Sequence, residues 1–308
     1  MALRRLEASA SAGTSAVLRG RGAVRDTFAL LETGPESARA QGWSVAAMII
    51  GEDAPAFGSV TSSGHASPKS VVRTALGVDT VVPRVLQGAE VVACPAKAMG
   101  ALKRLCGMSR SATLPSDDVA VVFRRKAQPP GAVRAAVDAR GHGGAVVLAL
   151  DGVADPGNVG ALCRSAAFFG ASGVLLGAGT ADPTGCKALA ASRGAALGLA
   201  CERPADLGTE LRAWAARGAT VLLAEAAGGD RSALQGQVPP VTVLVLGSEG
   251  QGLSKAVADA LEGQASVARV GIRGARASWA TSAPGACLNV ASAGAVLLAR
   301  LAERDERE

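Results

Sequence analysis

Hydrophobic and polar positions alternate in regular blocks over the second half of the chain, from Ala145 onward. Short apolar runs rich in Val, Leu and Ala predict buried strands, and the longer amphipathic stretches between them predict helices. The predicted strands cover residues 145–150, 173–177, 219–224, 241–246 and 266–272. The predicted helices cover residues 158–169, 184–192, 206–217, 252–262 and 287–303. This alternation predicts an α/β domain over residues 145–308, in which helices cover both faces of a parallel sheet.

The first half of the chain has weaker hydrophobic periodicity. Its pattern predicts a small α/β domain over residues 26–126 and a Gly- and Pro-rich linker over residues 127–144. The predicted strands there are 45–50, 90–94 and 119–123, and the predicted helices are 24–31, 35–41 and 95–106. Residues 1–25 contain five arginines and one acidic residue, which predicts a basic tail or an organellar transit segment. A cytoplasmic, mitochondrial or plastid location therefore stays open.

The composition indicates a globular chain with a basic N-terminal half. Apolar residues make up 49% of the sequence and charged residues 19%. Residues 1–150 carry 18 Lys+Arg against 11 Asp+Glu, a net charge of +7, whereas residues 151–308 carry 14 against 15, a net charge of −1. Positive charge concentrated in one half favours a polyanionic partner such as RNA, although a bias for solubility also explains a modest excess.

Several classes of protein are disfavoured by the sequence. No apolar run approaches the roughly 18 residues that a membrane-spanning helix needs. The six cysteines form no CxxC pair and the chain has two histidines, so we expect neither a metal site nor a disulfide framework. Scattered thiols fit a reducing compartment.

Two polar, Gly-rich loops follow predicted strands at the ends where parallel sheets bind ligands. The first begins with Asp151 and contains Asp155-Pro156-Gly157, which is typical of a turn, before Asn158 as the predicted helix N-cap. The second is Gly247–Gly252, whose glycines allow a ligand to approach the backbone. Each loop is also compatible with a plain turn and helix cap. No GxGxxG follows the first strand, which argues against a Rossmann-like domain.

A third block combines RVGIRG at residues 269–274 with CLNVASAG at residues 287–294. An Asn followed by small residues predicts a capped helix N-terminus that packs closely against a neighbour. The plain alternative is a tightly packed C-terminal helix without a further role.

Together the three blocks closely resemble the SpoU, or TrmH-like, family of RNA 2′-O-ribose methyltransferases in the SPOUT class. The family patterns are similar to LDxVxDPxNxGAxxRTAxxxG, LGxEGxGL and RIPMxG followed by SLNVSxAxG. Here they stand as LDGVADPGNVGALCRSAAFFG, LGSEGQGLS, RVGIRG and CLNVASAG. The order of these blocks and most of the spacing between them agree with the family patterns from about residue 145 to residue 303. The first half resembles the small substrate-binding domain of the family loosely, best at residues 85–126.

The resemblance implies a knotted (trefoil) parallel-sheet methyltransferase domain, preceded by a small N-terminal α/β substrate-binding domain. It implies a homodimer built partly on the C-terminal helix, with an active site shared between the subunits. It also implies S-adenosylmethionine, bound in a bent form largely through the backbone, and no metal. The implied cofactor contacts are Gly247, Val270, Ile272, Cys287 and Leu288.

The implied reaction is methyl transfer to a ribose 2′-hydroxyl of rRNA or tRNA, with Arg164 in a key role. The pKa of a guanidinium exceeds about 12, so it is a poor base. We therefore interpret Arg164 as a clamp on the adjacent phosphate that lowers the pKa of the hydroxyl. Asn158 would hold Arg164 or the ribose. Glu249 and Asn289 would fix the loops and orient the nucleotide.

Three departures from the family patterns keep a second hypothesis open. Gly271 replaces a proline, Cys287 replaces a serine, and the stretch 273–286 is longer than usual and contains Arg276 and Trp279. These departures favour a catalytically weak or inactive homologue that binds structured RNA as an assembly factor. The enzyme hypothesis is favoured by the intact Asn158, Arg164, Glu249 and Asn289.

Overall fold

The computed structural model describes residues 15–19, 43–51, 90–94, 119–125, 130–140, 144–225, 239–272 and 288–305. The backbone forms two compact units. The first comprises Met1–Gln128 with Asp182–Gly198, and the second comprises Pro129–Ala181 with Leu199–Glu308. The domain boundaries predicted from the sequence stay a prediction.

In the first unit, the described residues form a mixed four-stranded sheet in the order β1-β4-β2-β3. Its strands are β1 (Ser15–Arg19), β2 (Trp43–Gly51), β3 (Glu90–Cys94) and β4 (Val119–Arg125). Strand β4 is antiparallel to β1 and β2, whereas β2 and β3 are parallel. Trp43 and the central residues of β4 are buried. Strands β2, β3 and β4 contain the predicted segments, and β1 lies within the segment predicted as a basic tail.

In the second unit, the described strands form a parallel sheet in the order β10-β8-β9-β5-β6-β7. The strands are β5 (Ala145–Asp151), β6 (Gly173–Leu176), β7 (Ala200–Glu202), β8 (Thr220–Glu225), β9 (Val241–Gly247) and β10 (Val267–Gly271). The predicted parallel α/β sheet is confirmed, and five of these strands match the predicted segments to within two residues. Strand β7 was not predicted, because three residues contain no hydrophobic run.

The helices of the described residues in the second half of the chain lie close to the segments predicted from the sequence. The described α-helices are α1 (Ala132–Asp138), α2 (Pro156–Phe168), α3 (Cys186–Ser192), α4 (Leu207–Ala216), α5 (Lys255–Leu261) and α6 (Val290–Asp305). Helix α1 lies in the predicted linker, where Glu202 accepts hydrogen bonds from the N–H groups of Gly131 and Val133 at 2.8 and 3.4 Å. The helices predicted at 24–31, 35–41 and 95–106 lie outside the described residues.

One face of the parallel sheet packs against α1, α4 and α5. Alternate residues of β5 and β9, including Val147 and Val243, join Leu211, Trp214 and Leu261 in one buried cluster. Because side chains of a strand alternate between its faces, the intervening residues point the other way. The cluster therefore covers this face of β5 and β9, which are paired along their whole length.

The opposite face packs against α2 and α6 at very short range. A Cβ added at Gly294 would lie 2.3 Å from Leu162 Cδ2 on α2 and 2.8 Å from Leu246 Cδ1 on β9. No residue larger than glycine fits there without displacement, so the predicted close packing of the C-terminal helix is confirmed. The connection from β10 to α6, residues 273–287, lies outside the described residues, and the trefoil knot stays a prediction.

Candidate active site

The two Gly-rich loops meet where β5 and β9 end. Asp151, the last residue of β5, is paired in register with Gly247, the last residue of β9. The loop after β5 leads into α2, and the loop after β9 leads into α5. Since the carboxyl ends of parallel strands share one edge, both loops lie at that edge. Ligands of such sheets bind in the crevice just outside it.

Glu249 connects this crevice to the start of α6. Its Oε1 accepts a hydrogen bond from Asn158 Nδ2 at 3.0 Å and another from Asn289 Nδ2. The N–H of Val290 donates to the same oxygen at 3.4 Å, and Asn289 Nδ2 lies 3.2 Å from Asn158 Oδ1. We call Asn158, Glu249 and Asn289 the Glu249 network. It joins residues from all three sequence blocks.

The network places a carboxylate at the N-termini of two helices. Asn158 is the third residue of α2, and Val290 is the first residue of α6. Helix N-termini carry partial positive charge and unpaired N–H groups, so a carboxylate is favoured there. Asn289 and Glu249 are exposed and Asn158 is half-buried, so the network is open to a ligand.

The N-cap of α2 is Asp155, and the prediction that Asn158 caps this helix is wrong. The Asp155 side chain accepts from the N–H of Asn158 at 3.0 Å, and Pro156 occupies the first helical position. Proline suits that position because its φ is preset and no N–H is needed. With Asp155 as the cap, the Asn158 side chain is free to reach Glu249. Asn289 does cap α6, through Oδ1 and the N–H of Ala291 at 2.9 Å.

The loop after β9 closes tightly on itself. Ser248 and Gly252 exchange two backbone hydrogen bonds, each 2.9 Å long. A Cβ added at Gly247 would lie 2.2 Å from the Gly252 carbonyl carbon and 2.5 Å from the Leu253 nitrogen. Gly252 itself adopts a φ of +68°, which favours glycine. The glycines therefore set the shape of the loop that presents Glu249.

The residues predicted to contact a cofactor are spread along the same edge. Gly247 ends β9, whereas Val270 and Ile272 lie at the end of β10, two strands away. Val270 is fully buried at this end of β10. Leu288 is 51% exposed beside the Glu249 network, unusual for a leucine. Cys287 lies outside the described residues.

Arg164 lies on α2, six residues after Asn158, and its side chain is exposed. No hydrogen bond or ion pair to Arg164 is present within the part of the chain that the structure describes. Asn158 donates to Glu249 instead of holding Arg164. The guanidinium is therefore available to a substrate.

Asp151 makes a contact between the two loops that the sequence reasoning missed. It is 5% exposed, and its Oδ2 accepts the N–H of Ser254 at 2.6 Å, just after the loop that carries Glu249. A signal was available, because an acidic residue directly after an apolar strand is rarely buried without a partner. The partner, more than a hundred residues later in the chain, was not visible in the sequence.

Two further observations concern the described residues alone. They contain no group of three or more His, Cys, Asp or Glu side chains arranged to hold a metal ion. Among them, no helix is long and apolar enough to cross a membrane.

Comparison with known proteins bears on this geometry. A model of the SpoU rRNA Methylase family matches residues 145–299, which is half of the chain. The chain belongs to the SpoU rRNA methylase family. This family match confirms the resemblance stated from the three sequence blocks.

The relatives with curated sequences include two mycobacterial proteins, each named an uncharacterized tRNA/rRNA methyltransferase. The one from Mycobacterium ulcerans (strain Agy99) is 36% identical over 162 residues, covering 52% of this chain and 47% of that protein. The one from Mycobacterium avium (strain 104) is 40% identical over 121 residues, covering 39% of this chain and 38% of that protein. The chain thus spans at most about half the length of these relatives.

Solved structures share the fold at lower identity. The SpoU methyltransferase AviRb from Streptomyces viridochromogenes, in complex with AdoMet, is 18% identical with a TM-score of 0.62, covering 96% of this chain and 91% of that one. An AdoMet-bound rRNA methyltransferase from Sinorhizobium meliloti is 22% identical with a TM-score of 0.59, covering 95% and 88%. At these identities the likeness establishes the fold of this SpoU family member.

Proposed function

We propose that this chain is an S-adenosylmethionine-dependent RNA 2′-O-ribose methyltransferase that acts on rRNA or tRNA. The observation that carries the proposal is the Glu249 network, in which three separate sequence blocks converge on one carboxylate oxygen at the ligand-binding edge of the sheet. Family membership and the mycobacterial tRNA/rRNA methyltransferases support RNA as the substrate.

The residues present fit S-adenosylmethionine. Gly247 has no side chain at the ligand-binding edge of the sheet, and Leu288 offers an exposed apolar surface for a purine. Gly247, Val270, Ile272, Cys287 and Leu288 would hold the cofactor. When bound, the cofactor supplies a methyl group already activated on a sulfonium. The structures of AviRb and the S. meliloti protein with AdoMet support this assignment.

The protein's own contribution is then alignment and help with proton removal. Arg164, exposed on α2, clamps the phosphate next to the target ribose and lowers the pKa of its 2′-hydroxyl through its positive charge. Glu249 keeps Asn158 and Asn289 in fixed positions, so that their amide groups orient the nucleotide. The loops thereby keep one geometry before the substrate arrives, which lowers the entropic cost of alignment.

We propose further that the chain forms a homodimer and contains the trefoil knot of its family. The dimer proposal is supported by Phe168 near the end of α2, whose side chain is 82% exposed and therefore suited to contact a partner. The first unit, with its excess of basic residues, would bind the RNA.

The departure at Cys287 keeps the inactive homologue as the second candidate function. The departure at Gly271 favours it less, because Gly271 simply continues β10 in register with Glu225. A protein of this second kind would bind structured RNA without transferring methyl groups.

The test combines purified protein, S-adenosylmethionine with an isotopically labelled methyl group, and rRNA or tRNA lacking modifications. Digestion and mass spectrometry should detect a labelled 2′-O-methyl nucleoside, and the Arg164→Ala variant should serve as the negative control. Label on a base would refute the 2′-O assignment. RNA binding without any transfer would favour the inactive homologue.

A further inference from the structure

Asp151 is a buried carboxylate that belongs to neither the Glu249 network nor the predicted cofactor contacts. It is 5% exposed, and its hydrogen bond to the N–H of Ser254 is 2.6 Å long. Charged side chains are rarely buried to this extent without a specific partner. A bond from a carboxylate to a backbone N–H is also among the stronger hydrogen bonds in proteins. The placement of Asp151 therefore needs an explanation.

The backbone on both sides of Asp151 is fixed by Thr180. The Thr180 hydroxyl donates to the carbonyl of Leu150 at 2.8 Å and accepts from the N–H of Gly152 at 3.1 Å. Thr180 is buried, and its own carbonyl accepts from Arg203 at 2.7 Å. The Asp151 side chain is thus presented from a rigid frame at the end of β5.

The segment that Asp151 holds is the loop that carries Glu249. The loop begins beside Asp151, because Gly247 is its register partner, and it ends at Ser254, which Asp151 binds directly. Between these points, Ser248 and Gly252 close the turn with two backbone hydrogen bonds. Both ends of the loop are therefore held against β5. The same strand leads into α2 and Asn158.

We propose that Asp151 is a positioning residue for the reaction: by holding the N–H of Ser254, it fixes the loop 248–254 on β5 and determines where Glu249 meets Asn158 and Asn289. This inference rests on the proposed function for its catalytic consequence, and on the hydrogen-bond geometry alone for its structural part. Asp151 touches neither substrate nor cofactor in this account, and it acts through the loop.

Four variants separate this role from a merely structural one. Asp151→Ala removes the acceptor, whereas Asp151→Asn keeps one acceptor oxygen of the same shape. Ser254→Pro removes the donor side of the bond and should fit the backbone, because the φ of Ser254 is −65° and suits proline. Ser254→Ala is its control, since both variants lose the cap that the serine hydroxyl gives Val257 at 3.3 Å.

Glu202→Ala is the matched control for loss of stability. Glu202 is also a carboxylate that accepts a helix N-terminal N–H, that of Gly131 at 2.8 Å. Glu202 lies on β7, three strands from β9, and the usual strand spacing places it about 14 Å from β9. Its loss should lower the melting temperature and leave the affinity for S-adenosylmethionine unchanged.

The measurements are the affinity for S-adenosylmethionine by calorimetry, the melting temperature, and amide hydrogen exchange of the peptide containing Ser254. Asp151→Ala and Ser254→Pro should each weaken cofactor affinity about ten- to a hundredfold, the factor expected for a charge-assisted hydrogen bond. Ser254→Ala should stay within about threefold of the unmodified protein, and Asp151→Asn, which keeps a neutral acceptor, should lose less affinity than Asp151→Ala. The double variant Asp151→Ala/Ser254→Pro should be little worse than either single variant, because both remove the same bond.

Normal affinity in Asp151→Ala, or a loss in Asp151→Ala that Ser254→Pro does not share, would overturn the proposal. If the unmodified protein does not bind S-adenosylmethionine, the proposed function fails, and hydrogen exchange decides the positioning role by itself. Faster exchange at Ser254 in Asp151→Ala than in Asp151→Asn would support it. Unchanged exchange in Asp151→Ala would overturn it.

Discussion

Gly247 is the position where the shape of the loop after β9 is most sensitive to a single methyl group. In Gly247→Ala, the new Cβ would lie 2.2 Å from the carbonyl carbon of Gly252. All three atoms that it meets are backbone, so no side-chain rotation relieves the collision. Since ordinary contacts between carbon atoms are about 3.5 Å or more, the loop must retreat by about 1.3 Å.

A retreat of this size breaks the two hydrogen bonds between Ser248 and Gly252. Each is 2.9 Å long and would exceed the limit of about 3.2 Å for a hydrogen bond. At about 1 kcal/mol for each bond, Gly247→Ala should cost about 2 kcal/mol of unfolding free energy. That corresponds to a melting temperature lower by roughly 4–8 °C. Circular dichroism recorded during thermal unfolding measures this fall in melting temperature.

Gly250→Ala is the matched control in the same loop. A Cβ added at Gly250 meets nothing within 4 Å, and the φ of Gly250 is not positive. This variant should be neutral, or slightly stabilising through the lower entropy of the unfolded chain. Equal melting temperatures for Gly247→Ala and Gly250→Ala would refute the reasoning, because the close approach in the loop would then have no energetic consequence.

Four further predictions follow from single side chains. Arg164→Ala should abolish methyl transfer while the fold and the cofactor affinity hold, and unchanged turnover in a labelled-methyl assay would contradict its assigned role. Asn289→Asp should keep the cap of α6, but two carboxylates would then face each other at Glu249 and methyl transfer to RNA should fall; unchanged turnover in the same assay would count against the network. Cys287→Ser should hold or raise activity, and a large loss would mean that the third block is misaligned. Asp206→Ala should destabilise α4 at pH 7, since hydrogen bonds from the Thr209 side chain and backbone lower the pKa of Asp206 from its ordinary 3.8. Because the folded-state pKa is the lower one, this contribution is full above pH 3.8 and is lost as the pH falls through the folded-state pKa, which a melting series over acidic pH should show.

The strands of the parallel sheet were predictable because nearly every residue in them is apolar. Residues 145–150 of β5 and 241–246 of β9 are Val, Leu and Ala with one Thr, and a strand buried on both faces requires such a run. The short elements lacked that signal. β7 has three residues, and α1 has seven residues next to a Pro- and Gly-rich stretch that resembles a linker. Their stability comes from tertiary packing, which local patterns do not encode.

The candidate site was predictable as a set of residues but not as a geometry. Asn158, Glu249 and Asn289 were each identified from their sequence blocks, yet their convergence on one oxygen depends on the order of strands in the sheet. The N-cap of α2 was assigned to Asn158 because asparagine is a good cap. Asp155 takes that position because Pro156 defines the first helical residue. Asp151 was missed because its partner, Ser254, is remote in sequence.

Calorimetric titration of the purified protein with S-adenosylmethionine tests the central claim most directly. We expect saturable binding at roughly micromolar affinity, which Gly247→Ala should weaken and Arg164→Ala should leave unchanged. Absence of binding, in protein shown to be folded, would contradict the assignment of this crevice as a cofactor site and would favour the inactive RNA-binding homologue.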